Sequence, residues 1–509
     1  MKLKRFAAVL VTGLLITSLT ACGGGKGSSS GTQASGDGNT QAASNAGSED
    51  YDFYIFNGKG ESADALQKAA DAYKAATGTK AKVFSLGSGT DSTELLRAEM
   101  NSDHMPTIFT VQNAQNLVEW VEGGFAMDLT QATDENFKKM AGDVPQNFYL
   151  TRDGSTNYGI PYNIEGYGYI ADKNMLAALF GEDKVEDFIA SYKTATYAEF
   201  EAMVLAIDDY IKNGTAADIT LSGKTFTLLA DKSEKAAKLK GVFSVAGAEK
   251  WTYGDHLINI AIDAVFKNSL DVANATKDQI EAGRGAWEAY AKLLDLKTSH
   301  AATARGPELI NASTNGYDAA VATFANGEAV FIKQGNWCYT NITKANPEIG
   351  STLTFLPIKL DVTQEDIKAD GLTVDHLNSS IPVFVPMYYC INAKATDKEK
   401  AAAEAFLAWL NTTEEGLKFV VEDMAFIPYN ADPEVTSAGY SLGDDILSYV
   451  KEGQTITDAY AGLPSGWATN VFGLQMLENY VNTEKWPDTA YSDIADFIIN
   501  SWEEAAGLQ

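Results

Sequence analysis

The sequence predicts an α/β protein built from two domains, and three features carry that expectation. Beyond position 50 the chain alternates strand-like and helix-like runs in the order β-α-β-α-β, which requires right-handed crossovers and a parallel sheet covered on both faces. The stretch from residue 51 to residue 509 is longer than one hydrophobic core usually becomes. Finally, an extended, glycine-punctuated segment, Tyr158-Gly-Ile-Pro-Tyr-Asn-Ile-Glu-Gly-Tyr-Gly-Tyr-Ile170, separates the first alternation from a long helical pattern over 173–212. It reads as the first interdomain hinge.

The elements follow in order. Residues 51–56 (Tyr-Asp-Phe-Tyr-Ile-Phe) are strand-like, and Ser62 then precedes apolar positions at Leu66, Ala69, Ala70 and Tyr73, a helical spacing closed by Gly78. A second strand over 80–86, a helix over 93–100 and a third strand over 106–111 come next. A helix through Leu117, Val118 and Val121 then stops at Gly123-Gly124. In open parallel sheets ligands bind beyond the carboxyl ends of the strands. Those ends carry Asn57-Gly58-Lys59-Gly60-Glu61, Gly87-Ser88-Gly89-Thr90-Asp91 and Gln112-Asn113. Further on, 352–358 is extended, 381–391 reads as one strand returning to the first sheet, 401–411 is an amphipathic helix, and the tail is mostly helical. No short-period repeat is present.

The amino terminus has its own pattern. Lys2, Lys4 and Arg5 precede an uncharged stretch from Phe6 to Leu19 that is short for a bilayer span, as in a signal peptide. It ends in Leu19-Thr20-Ala21-Cys22, which resembles the bacterial lipobox. Cys22 is therefore the expected lipid anchor, and two or more acyl chains on one residue would hold a protein at a membrane. From 23 to 50 the residues are almost all small or polar and cannot bury enough apolar surface to offset ordering. This reads as a tether with a reach of roughly 30 Å.

A net charge of −29 argues against nucleic acid or anionic lipid surfaces as partners, since both demand basic patches. After Cys22 only Cys338 and Cys390 remain, too few for a disulfide framework and not spaced as a zinc site; they read as buried free thiols. The histidines His104, His256, His300 and His376 lie far apart with no metal-binding spacing, so no metal and no other cofactor is expected. Gly223-Lys224-Thr225 imitates the end of a phosphate loop, but Asp218 occupies the position where the loop needs a glycine. No nucleophile elbow occurs.

Aromatic side chains do stand beside polar ones at loop-like places: Glu249-Lys250-Trp251-Thr252-Tyr253, Gly335-Asn336-Trp337 and Pro464-Ser465-Gly466-Trp467. This pairing suits a sugar, whose C–H face stacks on a ring while its hydroxyls need planar donors and acceptors. Each tryptophan has an alternative reading as core packing. Glu165, in the hinge, is either a ligand carboxylate or a cap on backbone N–H groups, and Asp91 and Lys59 are likewise open between ligand contact and ordinary helix-capping or turn roles.

Taken in order, these segments resemble the extracellular sugar-binding proteins of ABC importers, the family that includes the maltose and maltodextrin-binding proteins. The marks are Phe56-Asn-Gly-Lys-Gly60, Tyr73-Lys-Ala-Ala-Thr-Gly78, Pro106-Thr-Ile-Phe109, the 159–169 run, Phe324-Ala-Asn-Gly-Glu-Ala-Val-Phe-Ile-Lys-Gln-Gly-Asn-Trp337 and Ala403-Glu-Ala-Phe-Leu-Ala-Trp-Leu-Asn-Thr-Thr-Glu-Glu-Gly416. The resemblance implies a periplasmic-binding-protein-like fold of two lobes, each a β-sheet flanked by helices, joined by a multi-strand hinge. It divides the chain into a leader at 1–21, the lipidated Cys22 and tether at 22–50, a first lobe at 51–162 and 356–412, and a second lobe at 163–355 and 413–509. It further implies a monomeric, lipid-anchored, extracytoplasmic receptor that is no enzyme, binds an oligosaccharide and delivers it to a membrane permease. The ligand residues it points to are Asn57, Lys59, Gln112 and Asn113 of the first lobe, to which the loops at the strand ends add Glu61 and Asp91. In the second lobe it points to Glu165, Glu249, Trp251, Tyr253, Trp337 and Trp467, to which the hinge run adds Tyr167 and the Gly335-Asn336-Trp337 segment adds Asn336. A strand-rich insertion at 214–242 and a long region at 263–316 depart from the compact members and leave the number of subsites open. Two other readings stand beside this one: a surface-anchored glycoside hydrolase using Glu165 and a second carboxylate, and a receptor of the same fold for a peptide or polyamine.

Overall fold

The computed structural model describes residues 51–508, apart from 88–92, 432, 433 and 435. The expected leader, the expected lipid anchor Cys22, the expected tether and Asp91 therefore lie outside the described residues.

Thirteen strands occur in the described chain: β1 Phe53–Asn57, β2 Ala81–Ser85, β3 Ile108–Val111, β4 Ile160–Pro161, β5 Glu165–Asp172, β6 Asp218–Leu221, β7 Lys224–Thr227, β8 Gly241–Ser244, β9 Ala329–Gly335, β10 Leu353–Leu356, β11 Ile381–Phe384, β12 Tyr388–Ile391 and β13 Thr455–Ile456. The opening alternation forms as the apolar spacing requires. α1, Ala63–Thr77, buries Leu66, Ala69, Ala70 and Tyr73 and ends at Gly78, whose φ of 81° is the left-handed conformation that favours glycine. α2 covers Thr93–Met100 and α3 covers Ala114–Glu122.

The first sheet has the order β2-β1-β3-β12-β4, with β1 parallel to β2 and β3 and with β12 antiparallel to both β3 and β4. The second runs β13-β11-β5-β9-β8, with β10 also paired to β5. The insertion is a two-stranded hairpin, β6 with β7, turned at Ser222 (φ 48°) and Gly223 (φ 77°). Helices cover both sheets, which gives the two-lobed α/β architecture expected of the sequence.

The chain passes between the sheets three times. The first pass is 162–164, between β4 and β5. The second is 385–387, between β11 and β12. The third follows the helices Asp397–Thr412 and Glu414–Lys418, where Ile427 bridges to Ile164 before helix Ser441–Glu452 packs against β10. Two expectations are corrected here. Residues 381–391 are two strands: β11 pairs with β5 in the second sheet, and only β12 pairs with β3 in the first. The second contribution of the first lobe therefore starts after β11 rather than at 356, and it extends through Asp423, because the turn Phe419–Asp423 packs on α1. The run reads as one strand because its apolar pattern continues through the pass: Val385 and Met387 are both buried within it.

Cys338 and Cys390 are free and buried, in agreement with the sequence reading. Burial raises both thiols well above their ordinary range. Among the described residues, no helix is long and apolar enough to cross a membrane, and no cluster of His, Cys, Asp and Glu could hold a metal ion.

Candidate functional site

The first wall is built at the carboxyl ends of β1 and β3. Asn57 ends β1 with its amide closed on its own loop: Nδ2 donates to the Lys59 carbonyl at 2.9 Å and to Ser85 Oγ at 3.0 Å, while Oδ1 accepts from Lys59 N at 2.9 Å and from the Tyr162 hydroxyl at 2.5 Å. This amide has no capacity left for a solute; it shapes the turn. Gly58 belongs to the same device, since its N–H donates to Thr110 Oγ1 and a Cβ there would stand 2.8 Å from that atom. The turn aims Lys59 at Glu165, the first residue of β5, and their side chains form a buried ion pair at 2.5 Å. Asn163 Nδ2 adds a hydrogen bond to the same carboxylate at 3.2 Å. Glu61 is half-buried on this loop, close enough for its charge to act on Tyr317 and Cys338. Asn113 caps α3 by accepting from Gln115 N and Asn116 N, and Gln112 beside it is exposed. Gln115 reaches across to the other lobe, donating through Nε2 to the Gly462 carbonyl at 3.2 Å.

The second wall is aromatic. Ring centroids of Tyr167 and Trp337 lie 4.8 Å from His256, Trp251 lies 5.6 Å away, Tyr460 5.7 Å and Phe384 6.0 Å. The local sequence explains part of this. Tyr167 is paired with Gly335 across β5 and β9, and the missing side chain at 335 makes room for the Trp337 indole, which a Cβ there would meet at 2.0 Å. Gln334 Oε1 then accepts from Trp337 Nε1 at 2.9 Å and holds the ring. Trp251, His256, Trp337, Phe384, Asp458 and Tyr460 all keep some solvent-accessible surface, so the cluster lines a crevice rather than a closed core.

Polar atoms without partners concentrate here. Trp251 Nε1, His256 Nδ1, Lys333 Nζ, Tyr317 OH and Asn163 Oδ1 are all buried with no hydrogen bond. Such orphans are rare in folded proteins and call for an explanation. Lys333 Nζ stands 5.6 Å from the Tyr167 ring centroid and 6.0 Å from that of Trp251. Burial, followed by the charges of Lys333 and Lys59, holds His256 in its neutral form. Burial and the nearby Asp255 push the Asp458 carboxyl well above the usual range, although the Tyr167 hydroxyl donates to it at 3.4 Å.

The structure thus brings together Lys59, Glu165, Tyr167, Trp251 and Trp337. It places four of the other expected residues in supporting roles. Trp467 is buried in the helical interior, stacked on Phe472 at 5.2 Å and donating to Ser501 Oγ. Tyr253 is buried and donates to the Gly247 carbonyl at 2.7 Å. Asn336 pins the second sheet: its Oδ1 accepts from Gly166 N and its Nδ2 donates to the Tyr440 hydroxyl. Glu249 accepts from Tyr317 N at the start of helix Tyr317–Ala325. Sequence reasoning missed His256, Lys333, Phe384, Asp458 and Tyr460. Only Lys333 left a signal, as the one charge in the otherwise uncharged run Ala-Val-Phe-Ile-Lys-Gln-Gly of β9.

A family model described as bacterial extracellular solute-binding protein matches residues 68–438, more than half of the chain. The chain belongs to that family. Solved structures similar to this solute-binding protein include RafE in complex with raffinose, at 15% identity over 88% of this chain and 99% of that one, with a TM-score of 0.59; RafE from Streptococcus pneumoniae has also been solved in its apo form. A family 1 extracellular solute-binding protein from Bifidobacterium longum subsp. infantis is 18% identical over 89% and 98% of the two chains, with a TM-score of 0.53. The maltose-maltodextrin binding protein of Alicyclobacillus acidocaldarius is 14% identical over 88% and 99%, also with a TM-score of 0.53. Identities at this level establish the two-lobed fold of a solute-binding protein. No match to the sequence occurs among curated proteins.

Proposed function

We propose that this solute-binding protein captures a carbohydrate, an oligosaccharide, between its lobes and delivers it to the permease of an ABC importer. In this reading it acts as a monomer held outside the cell membrane by acylated Cys22, and it is a receptor rather than an enzyme. The observation that carries the proposal is the crevice itself, where flat rings from several elements surround buried donors and acceptors that lack partners. A pyranose offers a C–H face to the rings and hydroxyls to the orphaned atoms. Two supports are independent of the rings. Gln115 and the Lys59–Glu165 pair already link the lobes, so a bridging solute would favour the closed arrangement by population shift. Glu165, the carboxylate a glycosidase would use, is committed to Lys59.

Calorimetric titration of the full chain against defined oligosaccharides tests the proposal. Saturable binding is expected, and Trp337→Ala should weaken it by about 1–4 kcal/mol, the range of a truncated binding anchor, with the circular dichroism spectrum unchanged. Unchanged affinity in the variant would make Trp337 a packing residue, and new reducing ends appearing in the mixture would overturn the receptor reading.

A further inference from the structure

The other buried lysines of this chain are instructive. Lys59 pairs with a carboxylate at 2.5 Å. Lys359, fully buried, donates to two backbone carbonyls, those of Lys193 at 2.8 Å and Asn378 at 2.6 Å. Lys333 has neither solution: it is 2% exposed, and its Nζ has no hydrogen-bond partner. Burying an amine without a partner is costly, and this one lies at the crevice, beside the rings of Tyr167 and Trp251. Burial, followed by the charge of Lys297, lowers Lys333 well below the ordinary lysine range, while Asp255 and Asp458 pull the other way without hydrogen-bonding it. Asp458 is engaged by the Tyr167 hydroxyl and Asp255 by the Thr469 hydroxyl. Lys297, a second buried lysine on helix Arg284–Ser299, is close enough for its charge to oppose that of Lys333. Burial brings Lys297 itself down to about 7.

We infer that the solute carries a carboxylate, as a uronic acid does, and that Lys333 receives it between Tyr167 and Trp251. The anion supplies the acceptor that the fold withholds, and its charge favours the protonated amine that burial and Lys297 disfavour. The flanking rings then pack on the sugar that bears the carboxylate. This inference rests on the carbohydrate reading and narrows it to acidic saccharides.

The test is calorimetric titration of the full chain with pairs of saccharides of identical linkage that differ only in carrying a carboxylate or a hydroxymethyl group at C6. The acidic member is expected to bind roughly tenfold tighter or more, the scale of one charge-assisted hydrogen bond. Lys333→Met should weaken the acidic member by at least about tenfold more than the neutral one and so erase the preference, while Lys333→Arg should keep it. A neutral member that binds the wild-type chain as tightly as its acidic partner overturns the inference and leaves the carbohydrate reading standing, and this comparison needs no variant. Equal weakening of both members by Lys333→Met also overturns it. Failure of every saccharide, acidic and neutral, to bind overturns the carbohydrate reading and this inference with it.

Discussion

Replacing Trp467 with alanine is expected to lower the unfolding free energy by about 3–5 kcal/mol, the cost of truncating a fully buried tryptophan. The indole is 1% exposed, stacks nearly parallel on Phe472 and lies 5.9 Å from Trp502, and its Nε1 donates to Ser501. Truncation opens a cavity beside the Phe472 and Trp502 rings and removes the donor to Ser501 Oγ, which keeps its own bond to the Phe497 carbonyl. Trp467→Phe preserves the stack and should lose only part of that stability. Equilibrium denaturation in urea measures both, and an unchanged slope would locate the effect in the midpoint. A loss under about 1 kcal/mol for the alanine variant, no more than an average substitution, would contradict a core role.

That result bears on what the sequence could and could not disclose. Trp251 and Trp467 both sit in short polar-aromatic runs, and nothing local separates them. The difference is tertiary: Trp251 opens a short helix at the crevice, whereas Trp467 turns into the interior formed with the terminal helix Ala490–Ala505. Local elements were legible because their signals are local. Gly78 closes α1, and α2 spans the predicted 93–100. The split of 381–391 between two sheets was not legible, since buried apolar residues continue through the pass and only long-range pairing assigns each half. Asn57, Asn113 and Asn336 illustrate another limit. An asparagine near a strand end has the same sequence signature whether it meets a solute or satisfies its own backbone, and here all three satisfy protein groups. Lys59 and Glu165 were each visible as polar residues at the lobe boundary, but their pairing spans the first pass and could not be read from either segment alone.

That pair leads to the second large effect. Lys59 and Glu165 have side chains 8% and 2% exposed and meet at 2.5 Å, so each charge depends on the other for compensation. Glu165→Ala leaves the buried ammonium without its carboxylate, with the Phe426 ring centroid 5.6 Å away. A loss of about 3–5 kcal/mol is expected, as for other buried pairs broken from one side. Replacing both partners at once, Lys59→Met with Glu165→Leu, removes the charges together and should restore most of that stability, because an apolar pair of similar volume avoids the desolvation cost. The pair joins the β1 turn of one lobe to the first residue of β5 in the other. The double variant should therefore keep its fold while its lobes separate more readily, which small-angle scattering would register as a larger radius of gyration without ligand. A single variant that loses less than about 1 kcal/mol would mean that water reaches the ammonium and that the pair is not a true interior contact.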